Sequence, residues 1–184
     1  MAHPLGSVVT RLAQLAVLVT VMGCTAAFVG GGDEKSVQRR QAGKSIAFVE
    51  NKTYQTECTS CHVGYLPGFL PERSWNKMMG DLENHFGENA SLDDPAKSDL
   101  LKYLLVNAAD SRSSTPRSKK IGRMISSSDM PLRITETPFW KKRHASIKGY
   151  VWKRPKVTSK AKCDTCHHDA PKGIYDEHDV HIPK

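Results

Sequence analysis

Two pentapeptides, Cys58-Thr59-Ser60-Cys61-His62 and Cys163-Asp164-Thr165-Cys166-His167, constrain this 184-residue chain more than any other feature. In Cys-x-x-Cys-His, two thiols at this spacing can add across the two vinyl groups of a haem, and the next residue then lies under the iron as its first axial ligand. One match alone would fit a zinc site or a redox dithiol. Two pairs could also build one four-cysteine zinc site. Here the pairs stand far apart, each is followed at once by His, and the one remaining cysteine is Cys24 near the N-terminus. The motifs therefore imply two covalently bound haem c groups. Cys58, Cys61, Cys163 and Cys166 would carry them, with His62 and His167 on the irons.

That implication reshapes what the composition means. Gly 13 and Pro 10, with few aromatics, would leave a side-chain core thin. A small domain can wrap around a large apolar group instead. The expectation is a mainly α chain of two small haem-wrapped domains, the C-terminal one largely irregular.

The first 27 residues are set aside. A basic start, the apolar run of residues 12–21 and small residues after it have the layout of a signal peptide. A retained membrane anchor reaching Val29 is the alternative. A third is lipidation, because Val21-Met22-Gly23-Cys24 is a degenerate lipoprotein box. All three imply export, with a periplasmic location, soluble or membrane-tethered. With four cysteines in the motifs and Cys24 in the leader, no pair is left for a structural disulfide. Residues 28–45 read as a flexible polar linker.

Residues 46–110 form the expected N-terminal haem domain and residues 111–184 the C-terminal one. Trp75, Met78, Met79, Leu82 and Phe86 share one face of a helix expected over 72–86, with His85 beside Met78 and Gly87 as its stop. Asp93-Asp94-Pro95 opens another helix, striped by Leu100, Leu101, Leu104, Leu105 and Ala108 and ending near Asp110. Residues 110–120 are Ser/Pro/Arg-rich and read as the boundary between domains. Thr137-Pro138 starts a short helix through Trp140 towards His144, and an extended piece is expected around Tyr150-Val151-Trp152.

Charge divides along the same line. Residues 31–110 hold 9 basic and 12 acidic residues, a net of −3, and residues 111–184 hold 17 and 7, a net of +10. A basic half suits an acidic protein, anionic lipid or nucleic acid. An exported haem protein has little access to nucleic acid, so that class is set aside.

The sixth ligand of each iron decides what such a protein does. Met raises the reduction potential, a second His lowers it, and an open position admits small gases or peroxide. For the first iron the candidates are His85, Met78 and Met79. His85 is favoured, because a Met pair on an apolar face is more often packing. For the second they are His144, His168, His178, His181, Met124 and Met130. His144 is favoured for its aromatic neighbours. His168 adjoins His167 and can hardly reach the opposite face, and His178 and His181 lie in a polar tail.

Several stretches together resemble the dihaem cytochrome c family of proteobacteria. They are the two haem motifs, Leu70-Pro71, Trp75 through His85-Phe86-Gly87 with Asn89-Ala90-Ser91-Leu92, and Arg133-Ile134-Thr135-Glu136-Thr137-Pro138 with His144. The resemblance implies one haem per domain, with the N-terminal domain cytochrome c-like, and bis-histidine ligation, His62 with His85 and His144 with His167. It also implies electron delivery to a small oxygen-binding monohaem cytochrome, the sphaeroides haem protein. The basic load and the extra tail histidines depart from the family pattern. The expected function is single-electron transfer, not catalysis, with an acidic or haem-containing protein as partner. The alternatives are a dihaem peroxidase-like enzyme or a gas sensor with one displaceable ligand, and a membrane-anchored subunit of a larger complex.

Overall fold

The first haem motif begins where a short helix ends. Helix α1, Lys52–Cys58, is capped by Asn51, whose side chain accepts a hydrogen bond from the Tyr54 N–H at 2.7 Å. Cys58 is its last residue, so Cys61 and His62 follow in non-helical chain. Tyr54 fixes that chain. Its buried ring tilts against Tyr103 at 5.2 Å, and its hydroxyl donates to the Tyr65 carbonyl at 2.7 Å.

These elements belong to a computed structural model that describes residues 45–184, all within one compact unit, Asp33–Lys184. The expected leader, 1–27, and all but the last residue of the expected linker lie outside the described residues. Among the described residues no helix is long and apolar enough to cross a membrane. They are helical with no strands, in line with a mainly α class.

Pro67–Phe69 forms a single 3-10 turn before helix α2, Glu72–Gly80. Gly68 is required there, because a Cβ would stand 2.4 Å from the Ser118 hydroxyl and 2.8 Å from Ile46. Trp75 and Met79 of α2 are buried, and the indole N–H of Trp75 donates to the Pro67 carbonyl at 2.8 Å. The expected helix over 72–86 is cut short. Asp81 leaves helical geometry at φ −141°, Leu82–Asn84 make a 3-10 turn, and the Asn84 amide bonds the Asp81 carboxylate at 2.7 Å. Gly80, Asp81 and Asn84 are weak helix formers, and the polar pair offers a competing local bond. Phe86 then turns left-handed at φ 56°, which leaves its ring exposed rather than on a core face.

Helix α3, Asp94–Val106, is capped by Asp93, which accepts from the Ala96 N–H at 2.8 Å, with Pro95 in the first turn. It stops at Asn107, a little before the expected Asp110. Leu100, Leu104 and the following Ala108 are almost wholly buried against Trp75, Met79 and Leu82.

Residues 110–120, expected as an irregular boundary, hold a built connection. Ser111 and Ser114 are buried and donate to the Val106 and Ala109 carbonyls, the first a group that the end of α3 leaves over. Helix α4, Pro116–Arg123, follows with Thr115 as its cap. Ile121 is fully buried with Leu66 and Phe69. Arg73 of α2 reaches the Ser126 and Asp129 carbonyls at 2.7 and 2.6 Å. Residues 46–110 and 111–184 thus share an interface of apolar packing and hydrogen bonds.

Beyond it regular structure thins. Helix α5, Pro138–Arg143, starts as expected from Thr137-Pro138: the buried Thr137 hydroxyl accepts from the Trp140 N–H and donates to the Ile134 carbonyl. Val151–Lys153 is a 3-10 turn, not the expected extended piece. Cys163–Thr165 and Ala170–Lys172 are further 3-10 turns, and the tail after them has no regular element.

Candidate functional site

Each haem motif faces one of the two histidines favoured from the sequence. His62 and His85 have ring centres 6.3 Å apart and planes 28° from parallel. His144 and His167 have ring centres 6.2 Å apart at 76°. A metal–imidazole nitrogen bond is about 2.0–2.1 Å. Two in line, with about 1.1 Å from nitrogen to ring centre at each end, would separate ring centres by about 6.3 Å. Both pairs fit one metal ion between two imidazoles.

Orientation at the rings supports the same fit. His62 Nδ1 lies 2.8 Å from the Val63 carbonyl, and His144 Nδ1 lies 2.9 Å from the Trp140 carbonyl. A carbonyl on one ring nitrogen fixes the tautomer and frees the other nitrogen for a metal. His167 differs: its Nδ1 is buried with no hydrogen-bond partner, and the nearby Tyr175 hydroxyl is buried and unpartnered too.

Local environments favour the neutral imidazole, which is the ligating form. Burial pushes His85 below the usual histidine range, and the neighbouring His62 and Arg133 push the same way. Burial also lowers His144, opposed by its bond to Trp140 and aided by Arg143. His167 is lowered by burial and by His144. Burial pushes the Cys58 and Cys163 thiols up to about 11. Among the described residues no three His, Cys, Asp or Glu side chains converge to hold a metal ion by themselves.

The backbone explains each placement. Cys163–Thr165 turns so that the His167 N–H donates to the Cys163 carbonyl at 2.8 Å. His144 caps the end of α5, its N–H on the Trp140 carbonyl at 3.0 Å. Its ring stacks on Trp140 at 4.3 Å, with Trp152 at 6.1 Å. His85 is not carried on a helix face beside Met78, as expected. It sits after the 3-10 turn, in the bridge between His85 and Glu88. The Phe86 ring meets it edge-on at 4.8 Å, and the Arg133 guanidinium covers Phe86 at 3.9 Å.

The other candidates do not face a motif histidine, although the His181 N–H donates to the Cys166 carbonyl at 2.9 Å. Met79 is buried in the α2–α3 core and Met78 packs against it. Met130 is exposed. Met124 caps the end of α4. His168 pairs with His181 at 5.7 Å, and His178 is exposed in the tail.

Sequence reasoning missed the tyrosines. Tyr65 stacks on His62 at 4.6 Å and donates its hydroxyl to the Ala161 carbonyl, 96 residues on, at 2.7 Å. It thus joins the first motif to the chain just before the second. Tyr175 lies 5.5 Å from His167 and edge-on to Phe69 at 5.2 Å. A tyrosine three residues after a Cys-x-x-Cys-His motif carries no signal of its own. A cavity of about 570 Å³ runs along this seam, lined among others by Cys61, His62, Tyr65, Lys162 and Asp164.

The sequence profile of dihaem cytochrome c matches residues 54–175. No curated protein sequence matches the chain. Solved structures do. A diheme cytochrome c from Rhodobacter sphaeroides is 40% identical with a TM-score of 0.62, covering 69% of this chain and 98% of its own. A structure of DHC purified from Rhodobacter sphaeroides is 37% identical at 0.57, covering 70% and 100%. A diheme cytochrome type c from Shewanella baltica is 36% identical at 0.60, covering 74% and 95%.

Proposed function

Because the chain belongs to the dihaem cytochrome c family, and so is a c-type cytochrome with two haems, we propose that it is a single-electron carrier whose irons are both held between two histidines. Each haem supplies a one-electron couple at its iron. Cys58 and Cys61 would hold the first group and Cys163 and Cys166 the second. His62 with His85, and His167 with His144, would ligate the two irons. The observation that carries this reading is the pair of ring spacings, 6.3 and 6.2 Å, which match one metal between each pair.

What the chain does follows from that placement. The Val63 and Trp140 carbonyls orient His62 and His144 through Nδ1. Burial shifts His85, His144 and His167 towards the neutral, ligating form. Two histidines on each iron would leave no vacant position for peroxide or a gas unless one of them were displaced. The carrier reading is therefore favoured over the peroxidase-like enzyme and the sensor.

The rest of the proposal concerns context. The leader-like residues 1–27 support export to the periplasm, soluble or membrane-tethered. The basic C-terminal half supports an acidic redox protein as partner, such as a small oxygen-binding haem protein. The test is the absorption spectrum of the reduced protein with and without carbon monoxide. An unchanged spectrum is expected; a shift in either haem overturns bis-histidine ligation and favours a sensor or an enzyme.

A further inference from the structure

The cations of the C-terminal half are not evenly spread. Between Glu136 and Asp164 the sequence holds nine Lys and Arg residues and no Asp or Glu. Among the described residues, one of the nine, Arg143, makes an ion pair, with Glu177. Three segments of this stretch converge beside His144. Helix α5 brings Trp140, the Val151–Lys153 turn brings Trp152, and the two indoles lie 5.5 Å apart. Lys160, from a third segment, places its ammonium 5.8 and 5.7 Å from the two ring centres. Lys141 and Lys153 are the chain neighbours of these indoles, and all three lysines are exposed.

We propose that this face, with Lys141, Lys153 and Lys160 around Trp140 and Trp152, is where an acidic redox protein docks, beside the C-terminal haem. The inference rests on the electron-carrier reading and adds to it a place and a partner charge. Unpaired cations on one face raise the local concentration of an anionic partner and orient it on approach. The face also lies where a redox contact is useful, because Trp140 stacks directly on His144. A membrane surface is the poorer fit. Trp140 and Trp152 are half-buried in their stack, and Tyr150 is the one large apolar side chain exposed within residues 137–163. Stable binding to a bilayer needs an apolar face as well as charge.

The test uses the full-length dihaem protein, with oxidised flavodoxin as the acidic protein probe and phosphatidylglycerol vesicles as the anionic lipid probe. Flavodoxin binding is measured by calorimetric titration at low and high salt for three proteins. They are the wild type, the face variant K141Q/K153Q/K160Q, and a control, K52Q/K102Q/K120Q, that removes three exposed lysines elsewhere. Binding that weakens with salt is expected, with Kd raised about tenfold in the face variant and less than about twofold in the control. Equal effects of the two variants overturn the docking face. So does vesicle binding lost in the face variant without flavodoxin binding, which makes the face a lipid contact. The carbon monoxide spectrum separates the two levels: a shift there sinks the carrier reading, whereas equal variants with an unchanged spectrum sink only the docking face.

Discussion

His62 and His167 are specified by their motifs, but His85 and His144 are specified by what surrounds them. His144 was legible from its aromatic neighbours, and Trp140 does stack on it at the end of α5. His85 was chosen for its helix face, and that reason does not hold; the residue faces His62 from a turn instead. Periodicity alone cannot see a turn held by an Asn84–Asp81 side-chain bond. Replacing His85 with Ala should open the first haem to carbon monoxide while leaving the second unchanged. The H144A variant should do the converse. Binding in an H178A or H181A variant instead would reassign the second ligand. Arg133 offers a subtler test. Its guanidinium covers Phe86, whose ring edge abuts His85, in a turn with left-handed backbone at Phe86 and Gly87. A cation–π contact at an exposed site is worth about 0.5–1 kcal/mol. In R133A the His85 turn should loosen, raising the fraction of first haem that takes up carbon monoxide. R133K should restore much of it, and identical uptake in R133A and wild type would exclude a positioning role.

At the scale of elements, caps were the readable part and lengths were not. Asp93 and Thr137 do what their sequence positions suggest. Thr115-Pro116 is the same signal as Thr137-Pro138, yet the Ser-rich surroundings made the stretch read as a boundary. Ser111 and Ser114 are buried and bonded to carbonyls of the last residue of α3 and of the chain just after it, a role that composition does not reveal. Two substitutions probe these elements. Thr137→Ala removes a buried cap that also donates to Ile134, and should cost about 1–2 kcal/mol, read as a fall in the urea midpoint. Ile121→Ala empties a fully buried position between α4 and the Pro67–Phe69 turn. A loss of about 2–5 kcal/mol is expected. A loss below 1 kcal/mol would mean that α4 is not packed as described.

At the scale of the whole molecule, the charge division was legible by counting, but the seam between the two motifs was not. No local pattern pairs Tyr65 with Ala161, because the contact spans 96 residues. Removing the hydroxyl in Y65F keeps the ring on His62 and deletes the bond. Stability should fall by about 1 kcal/mol, read by urea unfolding, with the haem spectra unchanged. An unchanged midpoint would mean that the bond is offset by water.

That same bond ties the two attachment sites together. The residues before the second motif are held by a side chain on the loop of the first, and that loop hangs on Tyr54 of α1. Tyr54 in turn packs on Tyr103 of α3. One run of contacts therefore reaches from the middle of the chain, through the first attachment site, to the edge of the second, so a change at either site is felt at the other.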